Sequence, residues 1–286
     1  MTAVVLSALL HATWNFLLRR TGGSNTVAAM GIIAEAVLLL PPALVILYSS
    51  GGVPLLPFLF ATVVAAVLAL ANYAALIEAY RRADLSLVYP VARGGVFLFL
   101  PLLGFIVFAE RLDKPGWLSV TMIVAGIVML PLARFDRHSF SELGRHLRGR
   151  AIVFALLAAA ATAAYTIWDK YSIGYLDTFL YFAGYTVLLG IWFVGVLLRT
   201  SRAEVRGEWR RHWGSIALMG VFIAASYLLV LYALRTGVTT QVLAVRQLSI
   251  PIGVLLGWGL LRESMTLPRV LGSSLITAGC MLAAVT

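Results

Sequence analysis

Long apolar segments are the feature of this sequence that most restricts its fold. The chain of 286 residues is 61% hydrophobic and only 12% charged, whereas soluble domains carry about 25% charged residues. A helix needs about 20 consecutive apolar residues to cross the hydrocarbon core of a bilayer. Ten segments of about this length can be marked off, at 2–18, 26–48, 56–80, 86–108, 115–133, 150–170, 176–198, 212–234, 238–261 and 267–285. The sequence therefore predicts an all-α membrane protein with ten transmembrane helices.

An internal duplication further restricts the fold. A shift of 153 positions places Arg82, Arg93, Glu110, Leu118, Ala125 and Gly126 on Arg235, Arg246, Glu263, Leu271, Ala278 and Gly279. Each copy holds an apolar helix with one arginine, a bend with a glutamate, and a second apolar helix. Because each repeat then holds five crossings, an odd number, the second must enter the membrane from the opposite side.

This parity predicts two inverted five-helix repeats around a central cavity. We expect the first repeat at residues 1–135, a connecting loop at 136–149 and the second repeat at 150–286. The glutamates of the two bends, Glu110 and Glu263, each follow or precede an arginine. We expect them to hold the bends by hydrogen bonds and ion pairs.

The basic residues predict the orientation in the membrane. Sixteen of the Lys and Arg residues fall in the loops on one side, and the longest of these breaks are at 134–149 and 199–211. The four on the other side are Arg111, Lys114, Lys170 and Arg235. Basic loops remain in the cytoplasm, so we expect a multi-pass protein of the cell inner membrane with both termini outside. The net charge of +10 is then explained by loops that face anionic lipid, and no nucleic-acid partner is expected.

Two arginines lie within predicted spans, at equivalent positions of the two repeats. Arg93 and Arg246 are costly to expose to lipid, so each is expected to face the interior. There they suit an anionic group such as a substrate carboxylate. In the alternative interpretation each arginine pairs with an internal acid, such as Glu35 or Glu78, and only holds helices together.

Aromatic and polar residues share helix faces in the first and sixth spans. His11, Trp14 and Asn15 have helical spacing, and Tyr165 and Trp168 occupy similar positions in the sixth span. Rings beside polar groups suit an amphipathic or aromatic substrate, although helix packing and the aromatic belt at the interfaces give the same pattern. The other residues predicted to bind substrate are Asn72, Tyr73, Tyr89, Tyr227 and Gln247.

His11 and Glu35 are the candidates for proton coupling. Histidine titrates near neutral pH, and a carboxyl group within the membrane can exchange a proton with a cavity. A buried histidine that never changes its charge is the alternative for His11.

The sequence offers no sign of an enzyme. It contains no Gly-x-Ser-x-Gly, His-Glu-x-x-His or phosphate-binding glycine loop, so neither catalysis nor ATP-driven pumping is expected. The single cysteine, Cys280, excludes an internal disulfide and a cysteine metal cluster. We expect no cofactor and no metal site.

The duplicated motifs resemble those of a known family. Asn15-Phe16 with Arg20, Glu110-Arg111-Leu112 leading into Ala125-Gly126, and Arg262-Glu263 leading into Ala278-Gly279 are similar to the EamA-type ten-helix members of the drug/metabolite transporter superfamily. This resemblance covers essentially the whole chain. It implies a secondary transporter, often an exporter, with a central cavity formed mainly by spans 1, 3, 4, 6, 8 and 9.

The sequence thus favours a secondary-active carrier of small amphipathic metabolites, an exporter of amino acids or related compounds that works by alternating access. The alternatives are a facilitator or channel for small solutes, a multidrug-type exporter of aromatic cations, and a membrane scaffold or sensor. Its partners would be a small-molecule substrate and the lipid bilayer, with proton coupling as a candidate property. We expect a monomer or a homodimer.

Overall fold

The computed structural model describes residues 1–83, 85–132, 134–136, 149–262 and 264–285, with the backbone alone for 85–87, 89 and 90. Residues 137–148 of the predicted connecting loop, and Glu263, lie outside this description. The described residues form twelve helices and no β-strand. In chain order the helices are α1 (Thr2–Arg20), α2 (Asn25–Ser49), α3 (Leu55–Tyr80), α4 (Leu85–Gly94), α5 (Val96–Phe108), α6 (Lys114–Met129), α7 (Arg150–Ser172), α8 (Thr178–Leu198), α9 (Arg202–Leu234), α10 (Thr239–Arg246), α11 (Ser249–Leu261) and α12 (Leu267–Val285).

Eight segments of the described residues are long and apolar enough to cross a membrane. They are α2, α3, α7, α8, α9, α12, Val91–Phe108 across the junction of α4 and α5, and Thr239–Leu261, which contains α10 and α11. Helix α6 is apolar but has only 16 residues, and α1 carries several polar side chains. The prediction of an all-helical membrane protein is confirmed, with eight to ten spanning segments, and the count of ten stays a prediction.

The structure divides two of the predicted spans. Span 86–108 breaks at Gly95, and span 238–261 breaks between Arg246 and Ser249. At the second break the amide of Ile250 donates to the carbonyl of Gln247 at 2.8 Å. Pro251 has no N–H and cannot donate the next regular helical bond to that carbonyl. In both repeats the helix therefore ends within one residue of the interior arginine.

Helix α9 begins earlier than the sequence indicated. The predicted span started at residue 212, whereas the helix starts at Arg202, so most of the predicted break at 199–211 is helical. Ser201 caps this helix, because its Oγ accepts a hydrogen bond from the Glu204 amide at 3.2 Å. Glu204 also places a negative charge in the first turn, where the helix dipole favours it.

Helix boundaries in the two halves follow the spacing of the sequence duplication. Helices α2 and α8 start 153 residues apart, as do α5 and α11, and α6 and α12. Helices α5 and α11 also end alike, at Ala109 (φ 54°) and Arg262 (φ 56°), which again are 153 residues apart. These two are the only non-glycine residues in the described ranges with left-handed backbone, a conformation that often ends a helix.

The glycines of the duplicated motif lie where α6 and α12 cross. A Cβ atom added at Gly126 would lie 2.6 Å from the carbonyl oxygen of Gly272. One added at Gly279 would lie 2.8 Å from the carbonyl oxygen of Ser119. Larger residues at these positions would force the helices apart, as at other close helix contacts in membranes. The structure thus gives these motif glycines a packing role.

Helix packing follows the same pairing in both halves. Helix α1 packs on α9 and α11, as α7 packs on α3 and α5. Helices α2 and α8 pack on each other, and so do α6 and α12. Between α1, α2, α3, α4, α5, α7, α8, α9 and α10 a space remains open, and it forms the candidate site.

Candidate functional site

A cavity of about 280 Å³ lies among these nine helices. We call it the central cavity. Nine of the residues proposed from the sequence for substrate binding or proton coupling line it: His11, Trp14, Glu35, Asn72, Tyr73, Arg93, Tyr165, Tyr227 and Arg246. Residues separated by most of the chain therefore face one space.

His11 lies between the two arginines that the repeat makes equivalent. Its Nε2 is 3.4 Å from an Nη of Arg93, and its Nδ1 is 3.3 Å from an Nη of Arg246. The indole N–H of Trp14 also points at Nδ1, at 3.3 Å. Arginine and tryptophan only donate hydrogen bonds, and a neutral imidazole has one acceptor nitrogen. His11 therefore cannot accept hydrogen bonds from all three, and donor groups are in excess here.

Arg246 connects this basic group to a buried acid through an aromatic ring. Its guanidinium lies 5.1 Å from the centre of the Tyr227 ring, within the range of a cation–π contact. The Tyr227 hydroxyl donates to Asp169 at 2.5 Å, and the Tyr181 hydroxyl donates to the other carboxylate oxygen at 2.7 Å. The Nε–H of Arg246 is buried without a hydrogen-bond partner.

Glu35 is the second acid of the central cavity. It is 5% exposed, and no described residue forms a hydrogen bond or ion pair with its carboxyl group. The other acid considered as a partner for the arginines, Glu78, instead pairs with its neighbours Arg81 and Arg82. The central cavity thus contains basic groups on α1, α4 and α10 and acidic groups on α2 and α7.

Three of the predicted substrate-binding residues lie outside the central cavity. Asn15 is exposed, and its amide donates to the backbone carbonyl of His11 at 2.7 Å. Trp168 donates from its indole N–H to the carbonyl of Ala61 at 2.9 Å, so it joins α7 to α3. Gln247 is buried against its own helix. The side chain of Tyr89 is not among the described parts of the chain.

Sequence reasoning missed one wall of the central cavity. Helix α8 contributes Phe182, Tyr185, Thr186 and Leu189. These positions repeat at intervals of three and four residues, so they share one face of the helix. The same spacing describes any buried helix face, and it could not have distinguished a cavity wall from helix packing.

Asn72 has a bridging role within the lining. Its amide group donates to the carbonyl of Ala158 and to Oγ1 of Thr162, both at 2.8 Å. Both donors of Asn72 are therefore occupied by α7, and the residue fixes the distance between α3 and α7 beside the central cavity.

A second charged group lies at one end of the bundle, and we call it the Glu110 cluster (Glu110, Lys170, Gly237 and Thr239). The Lys170 ammonium donates to Glu110 at 2.5 Å and to the carbonyl of Gly237 at 2.7 Å. The backbone N–H and hydroxyl of Thr239 donate to Glu110 at 2.9 and 2.8 Å. The partner of Glu110 is thus on the other repeat and is not the adjacent Arg111, which lies over the ring of Phe105.

The described residues contain no group of three His, Cys, Asp or Glu side chains placed to bind a metal ion. The lining of the central cavity combines hydrogen-bond donors and positive charge with two carboxyl groups and several aromatic rings.

Comparison with known proteins gives a family match for the second half of the chain. Residues 149–285 match the model of the EamA-like transporter family. The spermidine export protein MdtI of Shigella flexneri is 36% identical over 64 residues, which are 22% of this chain and 59% of that protein. MdtI of Escherichia coli K12 is 34% identical over the same lengths. This chain thus spans 59% of the length of these relatives.

The fold of the whole chain also has a counterpart. A crystal structure of another protein superposes with a TM-score of 0.75, at 14% sequence identity, over 99% of this chain and 96% of the other. At this identity the similarity shows the fold alone. Together with the family match it confirms the resemblance seen in the sequence. Residues 149–285 are thus similar to the EamA-like transporter family, and the chain is a multi-pass membrane protein.

Proposed function

We propose that this protein is a secondary-active exporter of small amphipathic metabolites, amino acids or related compounds, and that it works by alternating access across the inner membrane. The observation that carries this proposal is the meeting of Arg93 and Arg246 at His11 within a cavity of about 280 Å³. An empty space lined by excess donors and by separate acids suits a small solute with charges of both signs.

The paired packing of the helices supports an inverted repeat. Each contact of α1 with the second half has a counterpart in a contact of α7 with the first half. Such pairing is expected of two units related by a two-fold axis, and an odd number of crossings per unit places that axis in the membrane plane. Rocking of one repeat against the other would then expose the central cavity to each side in turn.

Arg246 is the residue we assign to the anionic end of the substrate. Its Nε–H is buried without a partner, and an unpaired buried donor is unfavourable until an acceptor binds it. A substrate carboxylate between Arg246 and Arg93 would accept the bonds that His11 cannot accept. A substrate ammonium group would then face Glu35, and an apolar side chain would lie along the rings of α8 and α9.

The Glu110 cluster supports a state that is closed at one end. It joins the end of α5 to the end of α7 and the start of α10. Lys170 directly follows Asp169 of the cavity wall, so the cluster lies just beyond the central cavity. With the basic loops in the cytoplasm, this end faces outward. We assign the cluster to the contacts that must break before the central cavity opens to the outside.

Proton coupling is assigned to Glu35 and His11. A carboxyl group without an internal partner can gain or lose a proton without breaking a structural contact. Protonation of His11 would add a third positive charge between Arg93 and Arg246, and would favour movement of the imidazole away from them. The central cavity would then present both guanidinium groups to a substrate.

A transport assay tests the proposal. Purified protein in proteoliposomes is given a mixture of radiolabelled amino acids, with and without a pH gradient. We expect saturable uptake that unlabelled amino acids inhibit and that the gradient drives to accumulation. Uptake that neither saturates nor is inhibited by any amino acid would contradict the proposal. Saturable uptake that a pH gradient does not drive to accumulation would contradict proton-coupled transport and indicate a facilitator.

Export of a cation is the second candidate function. It is favoured by the partial similarity to spermidine export proteins and by Glu35 and Asp169 beside the rings of Tyr185 and Tyr227. The same assay with labelled spermidine and with an aromatic cation distinguishes the two. Saturable cation uptake that amino acids do not inhibit would replace the first proposal with the second.

A further inference from the structure

A second, apolar groove lies on the outside of the helix bundle between α2, α8 and α9. Its volume is about 530 Å³, and its walls include Ile33, Val37, Leu197, Val205, Trp209 and Val221. Val37 is 64% exposed and Val221 is 43% exposed. The groove shares no lining residue with the central cavity.

A basic helical segment borders one end of this groove. The stretch from Arg199 to Arg211 contains five arginines and two glutamates. Both glutamates are engaged: Glu204 accepts a hydrogen bond from the Thr26 hydroxyl at 2.7 Å, and Glu208 lies 3.7 Å from Arg211. The first contact also fastens the start of α9 to the start of α2, which makes the two walls of the groove meet at this end.

The arginines and the groove lie on one face of α9. Arg202 precedes Val205 by three positions and Arg206 precedes Trp209 by three, so these four residues share a face. Arg202, Arg206 and Arg210 are exposed, and none forms an ion pair with another described residue. Trp209 and Trp213 are 50% and 62% exposed on the same side, as is typical of side chains at the membrane interface.

We propose that this groove binds an anionic phospholipid, with an acyl chain along the apolar walls and the phosphate at Arg202 and Arg206. The apolar walls cannot recognise a soluble anion, and the exposed arginines would not favour a zwitterionic lipid over an anionic one. Only an occupant with both an anionic head and a long apolar tail matches the whole surface. The proposed lipid site shares no lining residue with the central cavity, so it does not rest on the proposed transport function.

Thermal unfolding of the full chain in detergent tests the lipid site. Phosphatidylglycerol, phosphatidylcholine with the same acyl chains, and inorganic phosphate are added separately. Phosphatidylglycerol is expected to raise the midpoint by at least about 2 °C more than phosphatidylcholine, because a ligand of the folded state stabilises it. Phosphate alone is expected to have no effect. Equal shifts with both lipids would overturn the proposal, and so would an equal shift with phosphate.

Variants locate the effect. Arg202→Gln with Arg206→Gln is expected to abolish the preference for phosphatidylglycerol, whereas the matched pair Arg134→Gln with Arg150→Gln, which is exposed but far from the groove in sequence, should keep it. Native mass spectrometry of the same samples counts bound lipid directly, so a variant with altered stability still gives a result. Retention of phosphatidylglycerol by the Arg202/Arg206 variant at the wild-type level would refute the site.

Discussion

The central cavity and the Glu110 cluster both place charged groups inside the helix bundle, but they differ in how those groups are paired. In the Glu110 cluster each carboxylate oxygen accepts at least one hydrogen bond, and Lys170 has two acceptors. In the central cavity an N–H of Arg246 has no partner, His11 is surrounded by donors, and Glu35 is unpaired among the described residues.

We propose that this difference separates a structural charge group from a binding one. Buried polar groups are nearly always paired, because an unpaired one costs about 1–3 kcal/mol. A paired cluster needs nothing further and holds helices in place. A group left unpaired beside an empty space is retained where a ligand supplies the missing partner. The comparison makes four predictions, which follow from the largest expected effect to the smallest.

Removing Lys170 should have the largest effect on stability. Lys170→Met leaves the Glu110 carboxylate buried without its cation, and loss of one partner of a buried ion pair costs about 3–5 kcal/mol. Denaturant unfolding in detergent measures this. The double variant Lys170→Met with Glu110→Gln should regain part of the loss. If Lys170→Met is as stable as the wild type, the Glu110 cluster does not stabilise the fold, and its contrast with the central cavity is wrong.

Removing Arg246 should affect transport and leave stability largely unchanged. Arg246→Gln is expected to lower saturable uptake by at least about 10-fold, since a hydrogen bond to a charged group contributes about 1.5–3 kcal/mol. Arg235→Gln, in the loop between α9 and α10, is the matched control and should transport normally. If Arg246→Gln unfolds as readily as Lys170→Met, Arg246 holds helices together as Lys170 does, and its proposed role in substrate binding is contradicted.

Tyr227 tests a paired group of the central cavity, the Asp169 carboxyl group that two tyrosine hydroxyls hold. Tyr227→Phe removes the donor to Asp169 and should lower the free energy of unfolding by about 1–3 kcal/mol. Tyr185→Phe is the matched control, because no hydrogen bond from its hydroxyl to another described residue is present. Equal stability of the two variants would show that Asp169 does not depend on this bond.

Glu35 should give the smallest change in stability. Glu35→Gln replaces an unpaired carboxyl group by a neutral group of the same shape, so no structural contact is lost. We expect unchanged unfolding and loss of the accumulation that a pH gradient drives. Asp169→Asn, whose wild-type carboxylate is held by two tyrosines, should be less stable by the same assay. Accumulation that survives in Glu35→Gln would remove this residue from proton coupling.

Much of the fold could be predicted because the membrane requires it. Apolar runs of sufficient length located the helices, and the 153-residue spacing of the duplication recurs in the starts of α5 and α11 at Val96 and Ser249. The breaks beside Arg93 and Arg246 were not predicted, although Gly94-Gly95 and Pro251 were visible in the sequence. Such residues are tolerated within many membrane helices, so their presence alone could not decide whether the helix would end.

The sequence predicted which residues the candidate site contains better than it predicted how they are arranged in space. His11, Arg93 and Arg246 were identified because ionisable groups within a span are expensive to expose. That Asn15 and Trp168 lie outside the central cavity, and that α8 forms a wall, depends on how each helix is rotated about its axis. Spacing along one helix defines a face but not its neighbour.

By itself, the sequence determined the class of protein, the approximate limits of its helices and the few charged side chains that the membrane forces inward. Only the tertiary structure decided that His11 meets Arg246 across 235 positions and that Glu110 pairs with Lys170 of the other half. The physical reason is that each residue contributes its own free energy of transfer from water to lipid, so the sequence of one segment is enough to show whether it spans the membrane. The pairing of polar groups depends instead on helix packing, which no single segment encodes.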